Sequence, residues 1–380
     1  MTEDIVIVGG GSGGTILANR LSERLGPSIE DGDFRVTVIN DGEYQYYKPA
    51  YLYVPFGKKT VEEAKRPIAD LLDRRVDFRA GRVTELDTDG KTVSLADGND
   101  LEYDHLVLAT GSNLVPEKVP GLAEGGHEFY SPEGAQALRE ELADFEEGHL
   151  VLSVIGVPHM CPAAPLEFVF MADDWLRKRG LREDVEITYT YPIQRAHGLE
   201  EIAEWATPRL DERDINLETF FNVDSVDPGA QVLETMEGNE LEYDLLVGIV
   251  PHEGSELVSE AGLGDDGWVA VDNHTLEAEN AEDVYAIGDV ADVPTSKAGS
   301  VAHYESTTIA DRISSRVRGE TPTAAYNGKT ICFIETGMDE ATFVDFDYQN
   351  GPTMRAPSAP VHWAKLGYNE AYWLTARGLM

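Results

Sequence analysis

Cysteine is almost absent from this chain: two residues, Cys161 and Cys332, among 380. That excludes a disulfide-stapled secreted scaffold. Basic residues are scarce as well, 30 Lys and Arg against 70 Asp and Glu, for a net charge of −40. So acidic a surface cannot neutralise phosphates, which excludes nucleic acid as a partner. No apolar run reaches the ~18 residues of a membrane helix. The N-terminus, M-T-E-D-I-V-I-V-G-G, lacks a basic segment and enters a strand at once, so no secretory signal is read there. The expectation is a cytoplasmic protein, and in a reducing cytoplasm a cysteine pair is more often catalytic than structural.

The acids are scattered along the chain rather than gathered in a tail. That pattern reads as a surface suited to very high salt, as in salt-loving archaea. In dilute buffer it would repel itself. A length of 380 residues exceeds one ordinary core and predicts more than one domain.

Ile5–Val8 reads as a short apolar strand and Thr15–Leu25 as a helix, with Gly9-Gly10-Gly11-Ser12-Gly13-Gly14 between them. Gly9, Gly11 and Gly14 fit the G-x-G-x-x-G pattern in its strand–turn–helix setting. Gly9 allows the tight turn, Gly11 lets backbone approach a pyrophosphate, and Gly14 lets helix pack on strand. The helix start then faces the phosphates with N–H groups and the positive end of its dipole. A second strand, Phe34–Ile39, ends in Asn40-Asp41, either of which could take the ribose hydroxyls.

Two later strands end in Ala109-Thr110-Gly111 and Gly288-Asp289. Taken with the glycine turn, they resemble the two-dinucleotide-binding-domain flavoproteins. The resemblance implies FAD, with Asp289 near its ribityl and phosphate groups. Gly299 and Ser300 would open a helix beneath the flavin, where its dipole and Lys297 would stabilise negative charge. Lys48-Pro49 is placed beside the flavin by the same resemblance.

The middle of the chain repeats the scaffold, strand Leu150–Ile155 and helix Ala163–Lys178, but not the phosphate cradle. Between them runs Gly156-Val157-Pro158-His159-Met160-Cys161-Pro162. The prolines lack N–H groups and bulky side chains fill the turn, so a nicotinamide cofactor is not expected. Cys332 lies far away in sequence, in the strand-like K-T-I-C-F-I-E-T-G.

These features resemble the sulfide:quinone oxidoreductases, with the flavocytochrome c sulfide dehydrogenase flavoproteins as near relatives. Cys161 with P-A-A-P-L-E-F after it, Cys332-Phe333, the loop T-Y-P-I-Q-R-A-H-G ending near His197, and the tail H-W-A-K-L-G-Y-N-E-A-Y-W-L each match a segment of that family. A third cysteine common there is missing from H-E-F-Y-S-P-E-G.

The resemblance implies an α/β fold of glutathione-reductase type: two Rossmann-like domains and a small C-terminal unit. The expected domains are 1–112 with 268–325 for FAD, 113–267 as a degenerate NAD-binding-like domain carrying Cys161, and 326–380 facing quinone and membrane. It implies that Cys161 and Cys332 form a redox bridge, a disulfide or one holding extra sulfur. Sulfide opens that bridge, and its electrons pass through FAD to a membrane quinone. His197 and Lys297 are expected at the catalytic centre, and Phe333 and Trp363 at the quinone. Implied partners are hydrogen sulfide, quinone, a sulfur-acceptor thiol and, peripherally, the membrane surface; a homo-oligomer is left open. No metal is expected. Trp363, Leu366, Trp373 and Leu374 fall near one helical face, which suits either membrane contact or core packing. Two other readings remain: an NADH:quinone dehydrogenase, and a non-catalytic FAD- or sulfur-binding protein.

Overall fold

The computed structural model describes residues 2–379. The chain opens with β1 (Glu3–Val8), α1 (Ser12–Glu30), β2 (Phe34–Asn40), β3 (Val76–Ala80) and β4 (His105–Leu108). β1, β2 and β4 are almost wholly apolar and buried, as parallel strands covered on both faces must be. The chain then builds a second sheet from β5 (Gly148–Val154), β6 (Val185–Tyr191), β7 (Ile215–Thr219) and β8 (Leu245–Ile249), with α2 (Ala164–Arg179) crossing between β5 and β6. It returns as β9 (Val284–Ala286), which pairs with β4, and continues into α3 (Gly299–Val317). A last unit holds β10 (Thr330–Glu335), β11 (Ala341–Phe346) and α4 (Ala359–Ala376).

The two large sheets share one plan. The first runs β9-β4-β1-β2-β3 and the second β7-β6-β5-β8, each parallel throughout. Each is interrupted, just before β4 in the first and β8 in the second, by a small antiparallel three-stranded sheet from residues 83–102 and 223–242. The two linkers pair with each other, Asn113 opposite Glu253 and Leu114 opposite His252. The first sheet is covered on one face by α1 and α3, which lie side by side; Arg24 Nε reaches Asp311 Oδ1 at 2.7 Å across them.

The largest apolar core is shared. It joins the segment 47–64, the second sheet with α2, and the last unit, including Ile334, Val344 and Tyr372. One buried ion cluster ties these parts. Asp173 on α2 is fully buried and holds Arg182 at 2.6 Å, Arg213 at 2.9 Å and Arg177 at 3.0 Å. Arg213 also donates to the Thr336 carbonyl at 2.6 Å, so the clamp reaches the last unit.

α4 does not present one apolar face. Trp363 is 68 % and Leu374 47 % exposed, while Leu366 and Trp373 pack against the shared core. Tyr372 is buried and its hydroxyl sits 2.6 Å from Ser12 Oγ. Between them α4 serves the core and the surface at once. Among the described residues no helix is long and apolar enough to cross a membrane.

Removing one partner from a buried ion cluster leaves charge uncompensated, at a cost of about 3–5 kcal/mol. Asp173→Asn is therefore expected to lose that much stability, read by urea unfolding in molar salt. A loss under about 1 kcal/mol, the usual worth of an exposed pair, would show that the clamp is not structural.

Candidate active site

The first glycine turn has the shape that its residues predict. A side chain on Gly9, at φ +112°, would lie 2.2 Å from the Ala109 carbonyl oxygen, and one on Gly14 would lie 1.9 Å from the Gly9 carbonyl oxygen. Gly11 differs: a Cβ there meets nothing within 4 Å. The turn is closed toward the protein at Gly9 and Gly14 and open outward at Gly11. Gly10 N–H donates to Asn40 Oδ1 at 2.8 Å, which engages the Asn40 side chain in holding the turn. Asp41 remains exposed beside it, and both line a cleft of about 610 Å³ with Gly9, Thr110 and Asn113. Thr110 Oγ1 is buried without a partner. An open backbone turn, a free carboxylate and an orphaned hydroxyl around one cleft fit a dinucleotide.

Deeper in, Lys48, Pro49, Asp289 and Lys297 converge. Lys48 is exposed and Asp289 half-buried, and each feels the other's charge. Burial holds the Asp289 carboxyl above its usual range, against the pull of Lys48 and Lys297. Burial likewise lowers Lys48, with Asp289 opposing. Lys297 Nζ donates to the Asp289 carbonyl at 2.6 Å and lies over the Trp268 ring at 3.9 Å. Its ammonium is thus tied to the Gly288-Asp289 turn. Gly288 N–H donates to Glu305 Oε2 at 2.7 Å, and burial pushes that carboxyl up to about 8. Gly299 and Ser300 open α3, and Ser300 Oγ accepts from Ile331 N–H at 3.3 Å, next to Cys332. Gly111, at φ +71°, ends β4's turn beside Ser112, whose hydroxyl is 3.4 Å from Asp289.

The corresponding turn of the second sheet is filled. α2 begins only at Ala164, and His159 and Met160, both buried, occupy the space above β5. A Cβ on Gly156 would sit 2.6 Å from Pro251 Cα. Cys161 follows at φ +46°, a left-handed backbone that costs a non-glycine residue energy and recurs at functional sites. It is pinned there by its N–H to the Lys297 carbonyl at 2.9 Å.

Cys161 and Cys332 are near neighbours despite their separation in sequence: charge on one is felt by the other, and both pack on the shared core. Both are free thiols. Burial, then the Glu167 charge, drives the Cys161 thiol far up, and the same two causes push Cys332 up to about 12. Lys365 alone of the nearby cations opposes both.

That lysine anchors a buried network of acids and bases. Its ammonium pairs with Glu167 and lies 3.8 Å from Glu335. Burial pulls Lys365 down, but the two carboxylates outweigh it and hold it above the usual lysine value. Glu335 also accepts from Tyr53 at 2.6 Å and faces His362 Nδ1 at 2.9 Å. Glu167 lies six residues after Cys161, on the helix that follows it, and Glu335 lies three after Cys332 on the same strand. Among seventy acids, no sequence pattern singled these out.

Of the remaining expected residues, His197 is buried, accepts from Leu199 N–H at its Nδ1 and faces His159. Phe333 stacks edge-on with Phe343 at 5.3 Å and faces Tyr368 at 6.3 Å. Trp363 touches His362 and points outward, and no ring contact joins it to Phe333 among the described residues. Tyr368, not Trp363, is the C-terminal aromatic beside Phe333. His252 and Tyr130, which no motif marked, pack against His159.

Paired Rossmann-like domains, one with an open glycine turn and one with that turn filled, define a flavin-dependent oxidoreductase. Comparison with known proteins agrees. The pyridine nucleotide-disulphide oxidoreductase family matches residues 3–311, and the chain belongs to it. Its cofactor is FAD. The chain is 26 % identical to the mitochondrial sulfide:quinone oxidoreductase of Mus musculus, over 93 % of this chain and 80 % of the mouse protein. It is also 26 % identical to the sulfide-quinone reductase of Aquifex aeolicus, over 90 % and 83 % of the two chains. The crystal structure of the Aquifex aeolicus sulfide:quinone oxidoreductase superposes with a TM-score of 0.88 at 23 % identity, covering 99 % of this chain and 92 % of that one.

Because a side chain at Gly11 meets no protein atom, Gly11→Val is expected to fold normally by circular dichroism and to lose bound FAD. Normal flavin content in that variant would remove Gly11 from the cofactor site.

Proposed function

We propose that this protein is an FAD-dependent sulfide:quinone oxidoreductase whose working thiols are Cys161 and Cys332. The observation that carries the reading is their placement: Cys161 at the turn where a second dinucleotide would otherwise bind, hydrogen-bonded to the Lys297 carbonyl of the FAD domain, with Cys332 brought next to it by the last unit. The relatives named above support the same substrate and acceptor.

In this reading the oxidised protein holds a sulfur bridge between the two cysteines. The sulfur of sulfide bonds to Cys161, the bridge breaks, and Cys332 leaves with the electron pair while Cys161 carries a persulfide. Cys332 is released into a site where burial and Glu167 disfavour its charge, and Lys365 is the cation that stabilises it. A second sulfide or an acceptor thiol removes the sulfane sulfur from Cys161. Bound FAD would supply the two-electron redox chemistry that links the thiols to quinone. The Gly9–Gly14 turn holds its pyrophosphate, Asp41 or Asn40 its ribose, and Asp289 with Lys48 its phosphate and ribityl region. Phe333 and Tyr368 offer aromatic faces to a quinone ring. His197, buried beyond His159, is assigned the handling of protons for the thiol site.

The exposed Trp363 and Leu374 suit a one-sided contact with a bilayer surface, where quinone resides. The protein then works as a peripheral membrane enzyme on the cytoplasmic side, with high salt screening its net charge of −40 from anionic lipid.

Anaerobic titration of the purified protein in molar salt tests the core of this. Sulfide should bleach the flavin, and NADH should not, because His159 and Met160 fill the second turn. Cys161→Ser and Cys332→Ser should each retain FAD and abolish bleaching by sulfide. Wild-type bleaching by either variant, or rapid stoichiometric bleaching by NADH, would defeat the reading.

Trp363→Ser combined with Leu374→Ser should lower turnover with a long-chain quinone and abolish liposome flotation, while sulfide still bleaches the flavin. Unchanged flotation would mean that α4 has no membrane role.

A further inference from the structure

Glu305 has no part in the scheme above. It lies on α3 and is fully buried. Its Oε2 accepts from the Gly288 N–H at 2.7 Å, and its Oε1 is buried with no partner. Gly288, at φ +77°, opens the turn that carries Asp289. A carboxyl on a separate helix therefore supplies the acceptor for the first N–H of that turn. An apolar side chain in its place would leave the N–H unpaired.

The groups around Glu305 decide its charge. Asp289 faces it from the turn and repels a second negative charge. Lys297 faces it from the loop before α3 and pulls the other way. That ammonium is shared: it donates to the Asp289 carbonyl at 2.6 Å, lies over Trp268 at 3.9 Å, and also feels Asp289 and Asp292. Tyr326 and Tyr348 face Glu305 from the other side. Burial keeps both phenols protonated, and their hydroxyls donate elsewhere, to the Lys329 and Asn273 carbonyls. On α1, Arg20 donates to Ser306 Oγ at 3.1 Å rather than to Glu305.

A carboxylate spreads its charge over two oxygens, and this site offers a donor to one of them. The neutral acid needs only the Gly288 contact at its carbonyl oxygen and leaves a single hydroxyl unmatched, a smaller cost than an unpaired charge. Burial acts in the same direction. It outweighs the Gly288 N–H and Lys297 and pushes the carboxyl up to about 8.

We propose that Glu305 is a positioning residue for FAD: as a neutral acid it holds the Gly288-Asp289 turn in the shape the cofactor needs, and its ionisation loosens the cofactor. Once ionised, it sets a second negative charge beside Asp289, near a ligand whose pyrophosphate is itself negative. Its unpaired oxygen also draws the side chain toward water and away from Gly288. The proton on Glu305 and the bound FAD thereby favour each other. The inference rests on the assignment of the Gly288-Asp289 turn to FAD made above, and on nothing assigned to sulfide or quinone.

The test dilutes the FAD-loaded protein stepwise in molar salt, at pH values on both sides of about 8, and reads free flavin by its fluorescence. Circular dichroism checks the fold at each pH. In the wild type the apparent Kd for FAD should be flat on the acid side. It should rise on the alkaline side by up to about tenfold per pH unit, the limit for one linked proton. Glu305→Gln keeps an oxygen for the Gly288 N–H and cannot ionise, so it should match the wild type on the acid side and stay flat throughout. Glu305→Leu lacks the acceptor and should weaken FAD about fivefold or more at every pH, the worth of one hydrogen bond. A wild-type Kd that stays flat overturns the inference. So does a glutamine variant whose Kd rises in step with the wild type, because another group then titrates. In either case a weakened leucine variant leaves the turn assigned to FAD. A folded leucine variant with wild-type Kd takes the turn out of the cofactor site and overturns both. If Glu305→Leu does not fold, Glu305→Gln decides alone.

Discussion

A thiolate is a charge, and the two cysteines sit where charge is costly. Burial raises both thiols, and Glu167 raises them further. The arrangement of the last unit answers that constraint. Lys365 on α4 reaches both carboxylates, one on the helix that follows Cys161 and one on the strand that carries Cys332. A lysine buried without those acids would shed its proton. With them it stays charged and lies beside both sulfurs. Glu167, which makes the site hostile to a thiolate, is also one of the two acids that hold the helpful cation in place.

The two large domains show what it takes to change a binding site without changing a fold. Both sheets carry the same parallel order, and both place a loop at the carboxyl end of the equivalent strand, β1 and β5. In the first domain the helix starts four residues after the strand; in the second it starts ten residues after, at Ala164. The added length lets His159 and Met160 turn inward and swings Cys161 toward Cys332 in a backbone conformation a glycine would adopt more easily. Phosphate recognition by bare backbone is replaced by side-chain chemistry at the same topological position.

Much of this was readable from residue order. The inner strands β1, β2 and β5 are short apolar runs read within about two residues of their observed ends, because a strand buried on both faces has little freedom in composition; the edge strands β3 and β7 carry polar residues and were not read. The glycine turn was legible because Gly9 and Gly14 are each required by a backbone contact of 2.2 Å or less. Other features were hidden for physical reasons. Glu167 and Glu335 are two of seventy acids, and only burial distinguishes them. His252 belongs to a linker and meets His159 only because the two linkers pair. The helical face drawn through Trp363, Leu366, Trp373 and Leu374 does not exist as one surface. Periodicity cannot say that Tyr372, Lys365 and His362 face inward toward three different partners.

The bond between Tyr372 and Ser12 spans nearly the whole chain. Asn19 of α1 adds a second tie, to the Ala376 carbonyl at 2.7 Å, and His303 of α3 a third, 3.1 Å from the Thr375 hydroxyl. The nucleotide turn is therefore clasped by a helix that lies 360 residues further along the chain. The floor of the nucleotide turn and the packing of α4 are thereby coupled, so whatever loosens α4 also loosens the turn.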